Sequence, residues 1–259
     1  MVEAIWAELL KARRSRLPWL TVLAFTVAAG VGGLFMFILQ DPDRARAMGL
    51  LGAKAQLAGG TADWPGYFAL LTQTMAVGGA LIFGVIVIWT FGREFSDHTV
   101  KDLLALPTSR TTIVAAKYTV TATWCLALTT QTYLLGLALG AALRLPGWTT
   151  AVAVEALARM MVTAVLAVLL VTALGLAASI GRGYLAAIGV MFLTVFLAQV
   201  IAVLGYGHLF PWSVPAIYSQ IGGSDHPTVG PIGYSLVVAV AATSVTATVV
   251  WWHTADHTL

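Results

Sequence analysis

The residues able to do chemistry are few and scattered along the chain. His253 and His257 stand four apart with Asp256 beside them, a spacing that puts both imidazoles on one face of a helix. A metal could be held there, but metal ligands need surrounding groups to orient them, and a frayed chain end is poor support. His208, Asp225 and His226 form a second loose group with the same weakness. Neither group is taken as a metal site.

Glu155 and Arg159 are also four apart, with the acid on the N-terminal side, the favourable order for a helical pair. They read as a charge pair neutralised at a membrane interface, or as a gate. Gln73, Gln131 and Gln199 are amides inside apolar runs. Such groups bond a neighbouring helix or line a pathway. Together with Trp212 these residues are the candidate pathway or gate. No G-x-x-x-x-G-K-[ST] loop, H-E-x-x-H pair or nucleophile elbow occurs. The chain therefore reads as non-catalytic. Cys125 stands alone in an apolar run, where a small buried hydrophobe is the plain reading.

The elements that would position these residues follow from composition. Of 259 residues, 59% are hydrophobic and 10% charged, with mean hydropathy +0.88. Soluble domains carry about 25% charged residues, so most of this surface must face lipid. The net charge of +3 comes from basic residues flanking apolar runs, a membrane-surface pattern and not a nucleic-acid patch.

The expected architecture is a single all-α membrane protein domain over 1–259, with six transmembrane helices. The spans are placed at 18–39, 67–91, 112–143, 156–180, 184–206 and 230–252. The first is a retained anchor, too long for a signal-peptide core. Residues 1–16 form an amphipathic interfacial helix, with Val2, Ile5, Trp6, Leu9 and Leu10 facing away from most of the charges. The charge-poor stretch 207–229, with Pro211 and Pro215, is an outer re-entrant or interfacial segment. An N-terminus inside places nine basic residues on the inner side (Lys11, Arg13, Arg14, Arg16, Arg93, Lys101, Arg110, Lys117, Arg182). Five lie outside (Arg44, Arg46, Lys54, Arg144, Arg159). That excess puts both termini in the cytoplasm of a multi-pass protein of the cell inner membrane.

The insert 91–117, FGREFSDHTVKDLLALPTSRTTIVAAK, is the most punctuated stretch. Ser96 can cap a helix, and Asp97 suits its positive end. Val100, Leu103 and Leu104 form an apolar stripe beside Lys101 and Asp102. Pro107 ends the helix, and Thr108 or Ser109 can cap the next. A short, stiff amphipathic helix over 94–106 suits a groove on a cytoplasmic partner, or the bare membrane surface.

The run Arg93 to Leu104, with Leu106-Pro107, Ser109-Arg110 and Lys117, resembles the cytoplasmic loop of ABC-2-type permeases, nearest the bacitracin-resistance and lantibiotic-immunity branch. FPWSVPAIYS, Phe210 to Ser219, resembles the aromatic-proline segment these permeases carry between their last two spans. The resemblance implies a coupling helix that docks on a separate ABC ATPase subunit through Glu94, Asp97, His98, Thr99, Val100, Lys101, Leu103 and Leu104. It implies a permease dimer, with a second copy or a homologous permease. It also implies export of an apolar or amphipathic antibiotic, peptide or lipid by alternating access. No cofactor is expected on this chain; ATP and Mg belong to the partner ATPase. His98 departs from the pattern, since relatives often have Gly there.

Two other readings stay open. A secondary transporter shows internal repeats and buried ion-coupling groups, and neither is convincing here. A structural or assembly protein without an ATPase need only pack.

Overall fold

The computed structural model describes residues 1–49, 61–105, 107–221 and 229–255. Lys54, Leu106, Asp225, His226, Asp256 and His257 lie outside the described residues, and with them part of each proposed histidine group.

The described residues form helices and no strand. Helix α1 spans Val2–Arg14 and α2 spans Leu17–Gln40, followed by the short α3, Pro42–Ala47. The second long run has three parts: α4, Trp64–Thr74, a π-helical turn, Met75–Gly79, and α5, Ala80–Ser96. After α6, Val100–Leu104, come the long α7, Arg110–Ala142, and α8, Thr150–Ile180. The chain continues with α9, Tyr184–Val203, two 3-10 turns and α10, Val214–Tyr218, and α11, Pro231–Thr254. Six of these runs are long and apolar enough to cross a membrane. At 33 residues, α7 extends about 50 Å, well beyond a ~30 Å hydrocarbon core.

Helix starts follow local chemistry. Asp63, Ser109 and Thr149 each accept a hydrogen bond from the backbone N–H three residues on, relieving donors that a helix start leaves unpaired. Three long helices end alike. At His98, Arg144 and Arg182 the backbone turns left-handed, with φ of 56°, 53° and 49°. The residue after each donates back five positions, as in Thr99 N–H to Glu94 O at 2.9 Å. This is the Schellman arrangement, whose left-handed position favours glycine. His98 thus occupies a backbone position that favours glycine.

Helix α8 lies at the centre, packed by α5, α11, α7, α9 and α4. Small residues allow close approach. A Cβ on Gly175 of α8 would stand 2.7 Å from the Tyr118 hydroxyl, and one on Gly140 of α7 would stand 2.6 Å from the Trp64 ring. Trp252 near the end of α11 is fully buried and donates its indole N–H to Ser179 Oγ at 3.0 Å. Helices α2 and α9 sit at the periphery with much apolar side-chain surface outward.

Candidate functional site: a fastened loop at one end, a roofed cavity at the other

Four ionisable side chains converge where α1, α5 and α7 meet. Lys117 of α7 is fully buried. Its ammonium lies 2.8 Å from Glu94 Oε1, 3.1 Å from Glu8 Oε2 and 3.0 Å from the Thr90 carbonyl. Lys11 of α1 donates to Glu8 Oε1 and Glu94 Oε1, each at 2.7 Å. The Thr99 hydroxyl donates to the other Glu94 oxygen at 2.7 Å. Two cations against two carboxylates make a neutral group whose burial is supported by its hydrogen bonds. Burial opposes the charged form of Lys11, but Glu8 and Glu94 outweigh it and hold its pKa above the usual lysine value.

This changes the sense of two sequence expectations. Glu94 was expected on a docking surface; it is 2% exposed and bonded to two lysines and a threonine. Ser96 was expected to start a helix over 94–106. Instead residues 94–96 complete α5, and the separate helix α6 holds five residues. The Schellman end explains the difference, because the left-handed His98 breaks the helix after Asp97.

Within the loop, Val100 is buried, and Leu103 and Leu104 pack half-buried against the main core of the bundle. The apolar stripe of α6 thus faces its own protein. Thr99 is half-buried, while Asp97, His98, Lys101 and Asp102 are exposed. The far end of the loop is fastened as well. Arg110, at the start of α7, donates to the carbonyls of Trp252 and His253 at 2.7 and 3.0 Å, and the Thr111 hydroxyl lies 2.9 Å from His253 Nε2. A cation on the last carbonyls of α11 suits its negative end.

The opposite end of the bundle gathers several of the amides. Gln220 ends α10's segment with φ 59°. Its backbone carbonyl accepts from Gln73 Nε2 at 3.2 Å, and its side-chain oxygen accepts from Arg159 at 3.0 Å. Arg159 also pairs with Glu155 at 2.8 Å. Gln73, Glu155 and Arg159 therefore share one latch on the segment between α9 and α11. Gln131 does not join them; it bonds the Val22 carbonyl and Thr26 of α2 at 3.1 and 2.9 Å.

Gln199 and Trp212 line a cavity of about 310 Å³ between the π-helical turn, α8, α9 and the segment Gly207–Ile221. Ser213 fastens that segment to α9 by donating to the Ala198 carbonyl at 3.0 Å, and Val214 is fully buried beneath it with Leu166, Leu170 and Val237. Among the described residues no group of three or more His, Cys, Asp or Glu could hold a metal.

Sequence reasoning missed Glu8, Lys11, Lys117 and Arg110 as structural partners. Lys117 carried one usable signal. It stands eight residues into a long apolar helix, where an ionisable group demands a partner.

Six helices long and apolar enough to cross a membrane define a multi-pass membrane protein. A family profile for ABC-2 family transporter protein matches residues 4–200, and the chain belongs to that family. It is similar to the bacitracin transport permease protein BCRB of Bacillus licheniformis, with 31% identity over 184 residues covering 69% of this chain and 85% of that relative. Like other ABC-2 permeases, it is a non-catalytic membrane subunit of a transporter.

Proposed function

We propose that the chain is the permease half of an ABC exporter, and that residues 97–105 receive the push of a separate ATPase in the cytoplasm. The observation that carries this reading is the double fastening of that loop. Glu94 and Thr99 tie its beginning to α1 and α7, and Arg110 ties its end to α11. A loop fixed at both ends passes displacement into helices instead of absorbing it.

The docking surface is then the polar edge Asp97, His98, Lys101 and Asp102, with Thr99, Leu103 and Leu104 at its margin and Glu94 and Val100 as buried supports. ATP and Mg sit on the ATPase. Basic residues concentrated at the loop end of the bundle support cytoplasmic termini and a cell inner membrane location. The outward apolar faces of α2 and α9 leave room for a second permease, a copy or a homologue. The substrate class is an apolar or amphipathic compound, and the similarity to a bacitracin transport permease favours a peptide antibiotic.

The test is charge reversal on the edge. Lys101→Glu combined with Asp102→Lys is expected to abolish co-purification of the ATPase while thermal stability stays unchanged, because both side chains are exposed. Undiminished co-purification of the ATPase with this double variant overturns the assignment.

A further inference from the structure

The cavity at the end away from the loop has an unusual wall. It is built mostly from apolar residues of the π-helical turn, α5, α8, α9 and the segment that follows α9, and among the described residues no Asp, Glu, Lys or Arg lines it. Yet one polar group on it, His208 Nδ1, is buried without a hydrogen-bond partner among the described residues, and exposed Gln199 and half-buried Trp212 place an amide and an indole N–H on the same wall. Buried polar atoms are nearly always satisfied, and a group left unpaired in an apolar setting is costly. Its volume falls at the lower end of the ~300–1,000 Å³ found for small-molecule sites. Exposed Gln199, Ala202 and Val203 line it too, which opens it to the bundle's outer surface. The adjacent π-helical turn is a local irregularity of the kind that recurs at functional sites.

We propose that this cavity is a binding site for an uncharged amphiphile, one apolar chain ending in a hydroxyl, ester or amide head. The apolar wall takes the chain. Gln199 and Trp212 supply donors for the head, and Gln199 an acceptor. The lack of a charged lining residue disfavours an ionised head, which would lose its hydration without a counter-charge. The segment Gly207–Ile221 forms the roof, held by the Gln73 and Arg159 bonds to Gln220. The inference goes beyond the ATPase reading and stands without it.

The experiment uses the full chain in phosphatidylcholine nanodiscs, without nucleotide. A monoacylglycerol brominated on its chain is added, and the quenching of Trp212 is taken as the difference between the intact chain and Trp212→Phe. The expected result is saturable quenching at low mole fraction, reversed by unbrominated monoacylglycerol. A phosphatidylglycerol with the same brominated chain gives none that saturates. Gln199→Leu weakens the apparent affinity about fivefold, the worth of one hydrogen bond. Ala80→Phe, which fills the cavity, abolishes saturation. If Ala80→Phe fails to fold by size-exclusion chromatography, the Gln199→Leu arm decides. Quenching that rises linearly with both probes reports bulk lipid contact and overturns the proposal, as does saturation that favours the charged probe or ignores Gln199→Leu. Because binding is read on the permease alone, its failure leaves ATPase docking through Lys101 standing, and a failure of docking leaves the cavity standing.

Discussion

The ammonium of Lys117, buried in α7, lies 3.1 Å from the carboxylate of Glu8, a residue 109 positions earlier on the opening helix of the chain. Glu94 and Lys11 complete the group, so α1, α5 and α7 meet at one shared set of charges. Helix α1 is thereby part of the bundle: it turns Glu8 and Lys11 inward and leaves Val2, Trp6 and Leu9 exposed on its other side.

Removing one member strands the others. Lys117→Met is expected to cost about 3–5 kcal/mol, because it leaves excess negative charge buried. The double variant Lys117→Met, Glu94→Leu should recover most of that loss, since Glu8 keeps Lys11. Thermal unfolding of the detergent-purified protein measures both, and a double variant no better than the single one would contradict the pairing.

The attachment of α1 should resist salt and alkali. The charges are buried, so screening at 1 M salt reaches them weakly. The pKa of Lys11 is raised from its ordinary value of 10.5. Its contribution is therefore fully present below about pH 10.5 and fades as pH climbs through the raised value. Tryptic cleavage after Arg13 and Arg14 is expected to keep the same rate relative to an unstructured control peptide at pH 7 and pH 9.

His98 occupies a left-handed position at φ 56°. A non-glycine residue there costs roughly 1–2 kcal/mol, partly offset by glycine's greater chain entropy. His98→Gly should raise the unfolding midpoint, and His98→Ile, with its β-branch, should lower it. Equal midpoints for the two variants would refute the backbone argument.

Gly92 leaves no space for a side chain. A Cβ there would stand 2.7 Å from the Tyr184 ring and 3.1 Å from the Gly183 carbonyl carbon. The ring can swing, but the Gly183 backbone cannot move without shifting the turn between α8 and α9. Gly92→Ala is expected to destabilise by about 1–3 kcal/mol, read as a lower unfolding midpoint.

How far the sequence disclosed all this depends on the range of the interaction. The six apolar runs are local signals, and so is the Ser109 cap of α7, because each needs a few consecutive residues. The apolar stripe of Val100, Leu103 and Leu104 was legible, and so was the stop of its helix before Pro107. Which way the stripe faces was not, since an apolar face fits the chain's own core as well as a partner's groove. The charge group was hidden for a related reason. Glu8 and Lys11 look like an ordinary solvated helix pair, and nothing within 80 residues of them announces Glu94 or Lys117. Gln73 and Arg159 meet only because the segment between α9 and α11 folds back to present Gln220 to both.

The π-helical turn at Met75–Gly79 also sets the rotational phase of everything that follows it in the second span. A wide turn holds about one residue more than an α-turn, and each residue of an α-helix advances the direction of its side chains by about 100°. Deleting one residue from that turn would regularise the helix and swing Ala80–Ser96 round by roughly that angle. The Glu94 carboxylate would then point away from Lys117, and Gly92 would leave the Tyr184 ring it abuts. A local widening beside the cavity thus keeps the charged junction at the far end of the same helix in alignment.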